Sequence, residues 1–247
     1  MKIIIEDTNE ELSRRIAEDL IQLTEKKDHP VLCTASGDSP SGLYKELVQR
    51  IRQNKLDVSG WNFVGLDEWI GMNGEDEGSC RYHLDQQFFR PACVDFEKIS
   101  FFDGRREDMI AECARIEKFI QQHNGIDIAI IGLGLNGHVG MNEPGTDPGL
   151  YAHITELDEQ TKEVAQKYFS QKVEITGGVT LGIADLKKAR HVFLIVNGRH
   201  KAEIVQKILG APVSKQLPAS LLREHPGLHI YLDKEAASMI RTEKQIV

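Results

Sequence analysis

A histidine and a glutamate stand close together in a glycine-rich stretch that follows a strongly apolar run. The stretch IIGLGLNGHVGMNEPG contains His138 and Glu143, with Asn136 and Gly137 between the run and the histidine. An imidazole titrates near neutral pH, and a carboxylate does so when it is partly removed from water. A single histidine is more often structural, but three polar side chains in one such loop favour a site for proton transfer.

The glycines of this stretch imitate a dinucleotide-binding motif. Gly132, Gly134 and Gly137 spell G-x-G-x-x-G. That motif opens a helix at the start of a βαβ unit, whereas this segment runs on through Asn142 and Pro144 after a late strand. We interpret the glycines as places where the backbone approaches a ligand. No compact ligand pattern such as H-E-x-x-H occurs, so a metal site has only weak support from the residues.

Two adjacent carboxylates, Asp67 and Glu68, follow another apolar run in the sequence NFVGLDEW. A carboxylate there could act as a general base on a carbon beside a carbonyl or imine. A capped acidic turn at the surface is the ordinary alternative for this pattern. The sequence at this point leaves both interpretations open.

Small and hydroxyl residues form a third loop, TASGDSPSGLY, ahead of a predicted helix. Ser39 is predicted to cap that helix, with Pro40 at its first position. Exposed backbone N–H groups and the helix dipole favour a phosphate there, with Ser36, Gly37 and Ser39 as its contacts. A plain strand-to-helix turn uses the same residue types. No G-K-[ST] follows, so ATP hydrolysis gains no support.

Positive charge for an anionic ligand must come from outside these loops. Lys167 lies on a predicted helix, and Lys201 lies near the start of another. A lysine at a helix start is mildly unfavourable with the helix dipole, which suggests another role for Lys201. An exposed surface lysine is the alternative for both positions.

Apolar runs alternate with amphipathic stretches along the chain, which predicts the elements that hold these loops. Strands are predicted at 2–5, 31–35, 61–66, 99–102, 126–134, 192–196 and 228–232, and helices at 8–27, 39–52, 79–89, 107–123, 156–170, 200–209, 220–224 and 235–240. Such alternation favours an α/β fold, with a doubly wound, mainly parallel, Rossmann-like sheet and helices on both faces. We predict one domain over residues 1–247. Because ligands bind beyond the carboxyl ends of parallel strands, the three loops should meet at one edge of the sheet.

Composition restricts the partners of the protein. The net charge of −8 shows no basic patch for nucleic acid, and no stretch approaches the length of a transmembrane helix. The four cysteines form no C-x-x-C pair, and the apolar run at the start is too short for a signal peptide. We therefore expect a cytoplasmic enzyme with a small-molecule substrate and neither a nucleic-acid nor a membrane partner, and we leave a homo-oligomer open.

Taken together, the loops resemble those of the glucosamine/galactosamine-6-phosphate deaminase family. The similar segments are ASGDSP, VGLDEW, GLGLNGHVGMNEPG, GVTLGI, the stretch around Lys201, and LPASLL. These segments occur in the family's order and span most of the chain. The resemblance implies a sugar-phosphate isomerase fold and the deaminating isomerisation of an amino-hexose 6-phosphate without metal or organic cofactor.

The resemblance also implies a role for each residue. Asp67 would move a proton between C2 and C1 of the opened sugar, and His138 would open the ring, tuned by Glu143. The implied substrate contacts are Ser36, Gly37, Ser39, Glu68, Gly137, Lys167 and Lys201. Asn136 stands where the glucosamine enzymes usually carry aspartate, so it can hydrogen-bond His138 but supplies no charge.

This departure favours the galactosamine branch of the family. We therefore expect galactosamine 6-phosphate to give tagatose 6-phosphate and ammonia, with the glucosamine-to-fructose reaction almost equally supported. Two alternatives remain, a 6-phosphogluconolactonase and a sugar-phosphate-sensing domain without turnover. The Asp-Glu-Trp and Asn-Glu-Pro segments favour the deaminase, and no helix-turn-helix segment supports a DNA-binding sensor.

Overall fold

A seven-stranded parallel sheet forms the centre of the protein. The computed structural model describes residues 1–240, so the last seven residues of the predicted domain lie outside the description. The strands run in the order β1-β10-β9-β6-β2-β3-β5, and every pair is parallel. They are β1 (Lys2–Glu6), β2 (Val31–Thr34), β3 (Asn62–Gly65), β5 (Ile99–Ser100), β6 (Ile128–Gly132), β9 (His191–Val196) and β10 (Leu228–Asp233).

Helices cover both faces of this sheet. They are α1 (Asn9–Thr24), α2 (Asp38–Arg52), α3 (Cys80–Leu84), α4 (Met109–Gln122), α5 (Glu159–Ala165), α6 (Ile183–Lys188) and α7 (Ala202–Gly210). Successive strand residues enter two different cores: Ile130 packs with α1 and α2, whereas Ile131 packs with α4, α6 and α7. This alternation follows from the two-residue period of a strand. The predicted doubly wound α/β fold is confirmed.

The helix starts follow local capping chemistry. Thr8 and Glu11 form the predicted capping box of α1. The predicted helix over 107–123 begins only at Met109, because Asp108 accepts a hydrogen bond from the Ala111 amide and caps it. The predicted helix over 79–89 is α3, capped by Ser79, followed by a π-helical turn at Asp85–Phe89.

A second, antiparallel sheet of three short strands was absent from the prediction. It consists of β4 (Asp67–Trp69), β8 (Gly178–Thr180) and β7 (His153–Thr155), with β8 in the middle. Strands of three residues are too short to show an alternating pattern, so nothing in the sequence separated them from loops. This sheet matters for function because Asp67 begins β4.

The predicted helices over 235–240 and 156–170 also differ from the structure. Residues 235–240 form turns, where the Asp233 carboxylate accepts a hydrogen bond from the Ala236 amide. The predicted helix over 156–170 is shortened to α5 and a 3-10 turn at Gln166–Tyr168. Across the described part of the chain, no helix has the length and apolar character needed to cross a membrane.

Candidate active site

The carboxyl ends of four neighbouring strands, β9, β6, β2 and β3, open onto one cavity of about 290 Å³. The loops after these strands bring together most of the residues selected from the sequence. Those that line the cavity are Ser36, Gly37, Ser39, Asp67, Asn136, His138, Lys167 and Lys201. Residues separated by more than a hundred positions in the chain therefore share one space.

Asp67 stands in the wall of this cavity, where it is only 9% exposed. Its backbone pairs with Thr180 of the small sheet, which fixes its position just beyond β3. Burial raises the pKa of Asp67 to about 6, although the Cys80 thiol hydrogen bond and the nearby His138 oppose this rise. A carboxylate with a pKa near neutrality is suited to take up and return a proton.

Glu68 is not in the cavity, contrary to its predicted role as a substrate contact. Its fully buried carboxylate accepts hydrogen bonds from the backbone N–H groups of Trp69 at 2.9 Å, Cys80 at 2.9 Å and Arg81 at 3.0 Å. Burial raises the pKa of Glu68 to about 7, against the opposing effect of these three donors. Adjacent strand residues point to opposite sides, so Glu68 holds the start of α3 while Asp67 faces the cavity.

His138 is oriented by polar groups behind its ring. Its Nδ1 lies 3.3 Å from the Thr161 hydroxyl and 3.5 Å from Glu143 Oε2. Asn136 was expected to contact the imidazole, but it instead accepts a hydrogen bond from the His138 backbone amide and donates one to Glu143 at 2.8 Å. Asn136 therefore connects the loop to the carboxylate without reaching the ring.

Glu143 stands behind the histidine with 7% of its surface exposed. Burial by itself would raise the pKa of Glu143, but hydrogen bonding and charge from His138, assisted by Thr161 and Asn136, hold it below its ordinary value. The carboxyl is thus kept ionised, which suits it to orient an imidazole and to stabilise its protonated form.

Two glycines of the loop have different functions. At Gly134, an added Cβ would lie 2.3–2.5 Å from three atoms of the His138 ring, so the imidazole packs directly on this backbone. Gly137, predicted to contact the substrate, does not line the cavity; its φ of +89° and its closeness to Leu217 make it a turn residue. Only the first of these glycines shapes the cavity.

The predicted phosphate loop begins α2, but its geometry differs from the expected N-cap. The helix starts at Asp38 after Gly37, whose φ of 105° places it in the region that favours glycine, and no side chain caps the first turn. Ser39 lies within the first turn, and its hydroxyl is 3.5 Å from Asn197 Oδ1. The N–H groups that a side-chain cap would have occupied therefore stay available at the cavity for an anion.

Two lysines supply positive charge to the same end of the cavity. Lys167 forms a 2.5 Å ion pair with Asp38, while the Lys201 ammonium donates to the Leu133 carbonyl at 2.6 Å. Burial, followed by the charge of Lys167, lowers the pKa of Lys201 to about 8. An anion placed between the two ammonium groups would relieve their repulsion.

Sequence reasoning missed several residues of the cavity wall. Cys80, Gln160, Thr161, Val164 and Tyr168 all line it. They belong to α3, α5 and the turn after α5, and no motif or spacing distinguishes them from ordinary helix residues. No group of three or more His, Cys, Asp or Glu side chains within residues 1–240 is arranged to hold a metal ion.

Comparison with known proteins gives close relatives over the whole chain. A family model for glucosamine-6-phosphate isomerases/6-phosphogluconolactonase matches residues 5–230. The glucosamine-6-phosphate deaminase of Clostridium tetani is 37% identical over 241 residues, with 97% of this chain and 100% of the relative covered. That of Geobacillus sp. is 34% identical over 248 residues, with 100% and 99% covered.

Solved structures agree with these sequence relatives. The structure of a monomeric glucosamine-6-phosphate deaminase matches with a TM-score of 0.93 at 32% identity, covering 97% of this chain and 100% of that one. A 6-phosphogluconolactonase from Thermotoga maritima matches with a TM-score of 0.75 at 19% identity, covering 94% and 98%. The second likeness concerns the fold alone.

Proposed function

Because the chain belongs to the family of glucosamine-6-phosphate isomerases and 6-phosphogluconolactonases, we propose that it converts an amino-hexose 6-phosphate into a keto-hexose 6-phosphate and ammonia. The observation that carries this proposal is the shared cavity. A buried carboxylate and an imidazole line it together with a helix start and two lysines. A phosphate fixed at the helix start would hold the sugar carbons against the proton-transfer groups.

The first chemical step is the opening of the sugar ring, which we assign to His138. Nε2 of the imidazole takes the proton of the C1 hydroxyl and passes it to the ring oxygen, so the bond between C1 and the ring oxygen breaks and an aldehyde forms at C1. Support comes from Glu143 and Asn136, which hold the loop behind the imidazole. The ring nitrogen Nε2 has no protein partner among the residues described, so it is free to meet the substrate.

The second step is the movement of a proton between adjacent carbons, which we assign to Asp67. Its carboxylate takes the proton from C2 and returns it to C1, while O1 gains a proton and the amino nitrogen loses one, which converts the aldehyde with its 2-amino group into a 1-hydroxy-2-imine. Water then adds to C2, and ammonia leaves as the ketone forms. The raised pKa of Asp67, about 6, favours both halves of this transfer near neutral pH.

We propose glucosamine 6-phosphate as the preferred substrate, giving fructose 6-phosphate. The similar curated relatives bear the name glucosamine-6-phosphate deaminase. The expected preference for galactosamine 6-phosphate depended on Asn136 in place of aspartate, and the observed contacts of Asn136 lead to Glu143 and the backbone. These contacts lie within the protein, so they give no reason of their own to prefer the galactosamine epimer.

The direct test measures ammonia and keto-hexose phosphate released from both epimers, together with hydrolysis of 6-phosphogluconolactone. We expect equal amounts of ammonia and fructose 6-phosphate from glucosamine 6-phosphate, and slower release from the galactosamine epimer. Lactone hydrolysis without ammonia would overturn the proposal in favour of a lactonase. Tight binding of either sugar phosphate without any product would instead indicate a sensor.

The variant Asp67→Asn tests the assigned base. It should release no measurable ammonia while binding a sugar phosphate with an affinity close to that of the wild type. The matched control is Asp28→Asn, which changes an exposed carboxylate that does not line the cavity, and it should keep full activity. Near-normal turnover by Asp67→Asn would show that another group is the base.

A further inference from the structure

We infer that Thr161 of α5 is a positioning residue that fixes the orientation of the His138 imidazole. This inference rests on the proposed function, because the positioned ring is the group assigned to ring opening. It extends that function, because neither the sequence motifs nor the family resemblance pointed to Thr161. The evidence is a contact between two different parts of the fold.

The contact joins α5 to the loop after β6. The Thr161 hydroxyl lies 3.3 Å from Nδ1 of His138, closer than the 3.5 Å separation between that nitrogen and Glu143 Oε2. Thr161 is 9% exposed, and its hydroxyl also interacts with the Glu143 carboxylate. The hydroxyl thus stands between the imidazole and the carboxylate that serves it.

Hydrogen-bonding capacity decides where the proton on the ring must be. An ionised carboxylate only accepts, whereas a hydroxyl both donates and accepts. If Nδ1–H donates to the Thr161 oxygen, the Thr161 hydroxyl can donate to Glu143, so that the ring, the hydroxyl and the carboxylate form one hydrogen-bonded chain. In neutral His138 this arrangement keeps the proton on Nδ1 and leaves Nε2 unprotonated.

The remaining contacts of the ring leave this orientation poorly fixed without Thr161. Gly134 limits the ring on one face, because it packs against the imidazole without a side chain. Packing of this kind restricts position but does not distinguish Nδ1 from Nε2. The carboxylate of Glu143, 3.5 Å from Nδ1, favours a proton on that nitrogen because it can only accept. The threonine hydroxyl is nearer to Nδ1, at 3.3 Å, and holds that nitrogen towards the carboxylate.

Thr161→Ala, Thr161→Ser and the matched control Glu163→Ala test the inference in the full-length protein. Glu163 is exposed on the same helix, so its change measures the effect of α5 stability alone. We expect Thr161→Ala to lower kcat for ammonia release about tenfold with KM changed less than twofold. Serine keeps the hydroxyl and should restore kcat to within about twofold of the wild type.

Nitrogen-15 NMR of the His138 ring provides a readout that does not need turnover. In the wild type at pH above the imidazole titration, we expect a single tautomer protonated at Nδ1, and in Thr161→Ala a mixture of the two. An unchanged tautomer and unchanged kcat in Thr161→Ala would overturn the inference while leaving the proposed function intact. Absence of ammonia release by the wild type would instead remove the proposed function, and the NMR result would still decide whether Thr161 orients the ring.

Discussion

Asp67 is a carboxylate held in a place that favours its protonated form. It is buried beside the Cys80 thiol, and only His138 and the thiol offset the loss of hydration. The native chain binds more protons at this site than the unfolded chain between about pH 4 and pH 6. Stability must therefore fall as the pH rises through this window, because the ionised form is the one that burial penalises. A buried carboxylate of this kind reduces the stability of the fold.

Replacing Asp67 by asparagine should consequently stabilise the protein while removing activity. The gain should be on the order of 2–3 kcal/mol above about pH 7, it should be small near pH 4, and it should vanish below about pH 3, where the aspartate is protonated in both states. Thermal unfolding of the wild type and Asp67→Asn at pH 4, 6 and 8 measures this. A gain that does not depend on pH would contradict the burial argument, and Asp28→Asn should show no such trend.

The imidazole depends on the absence of a side chain at Gly134. A methyl group there would lie 2.3–2.5 Å from three ring atoms, which no real contact permits, so the ring of His138 would be displaced. Gly134→Ala should therefore lower kcat by about 100-fold, since small misplacement of a reacting group has effects of that size. Gly210→Ala is the control, because a Cβ there meets nothing within 4 Å. Normal kcat in Gly134→Ala would show that the ring position is not critical.

At the scale of elements, α2 contacts the 3-10 turn that follows α5, and both contribute residues to the cavity wall. Asp38 in the first turn of α2 pairs with Lys167 of that 3-10 turn at 2.5 Å, and both are largely solvent-exposed. Burial would lower the pKa of Lys167, but the hydrogen bond that Lys167 donates to Asp38, together with interactions with Tyr168 and the charge of Asp38, raises it. Asp38 therefore pairs with the same ammonium group that, in the proposed function, would bind the phosphate of the substrate.

Removing the charge of Asp38 should strengthen phosphate binding. In Asp38→Asn, Lys167 is free for the ligand, and we expect KM for the sugar phosphate to fall about two- to fivefold with kcat unchanged, in keeping with the small energy of exposed ion pairs. Glu159→Gln breaks a comparable exposed pair with Lys162 in α5 and serves as the control. An increase in KM for Asp38→Asn would mean that Asp38 orients Lys167 instead of competing for it.

At the level of the complete fold, both ends of the described chain belong to one sheet. β1 at the amino terminus pairs with β10 near the carboxyl end, and β10 pairs with β9. The cavity in turn lies at the carboxyl ends of four strands of that sheet. Because the first and last strands pair with each other in the same sheet, we expect unfolding to involve the entire chain at once.

Calorimetry with inorganic phosphate tests this expectation. A single transition should appear, and phosphate at about 100 times its Kd should raise Tm by roughly 5–10 °C, as expected for ligand binding to a chain of this size. Lys201→Ala should show a much smaller shift, whereas Lys207→Ala, which changes an exposed lysine of α7, should match the wild type. Two separate transitions would contradict the prediction of one domain.

The sequence by itself determined the alternating strands and helices and the three loops at their ends. Continuous apolar runs indicated buried parallel strands, and local patterns such as Thr8 with Glu11 marked helix starts. These features depend on interactions between residues close in the chain, which a sequence displays directly. The histidine loop and the carboxylate loop are also made of residues close together in the sequence, so both could be recognised as candidates.

Only the tertiary structure decided which candidates face the cavity. Asp67 and Glu68 are neighbours of the same chemical type, yet the pairing of β4 with β8 turns the first towards the cavity and the second towards α3. Thr161 reaches His138 only because α5 folds back over the loop after β6. Such contacts depend on strand register and helix placement, which arise from interactions between distant residues and leave no pattern in the local sequence.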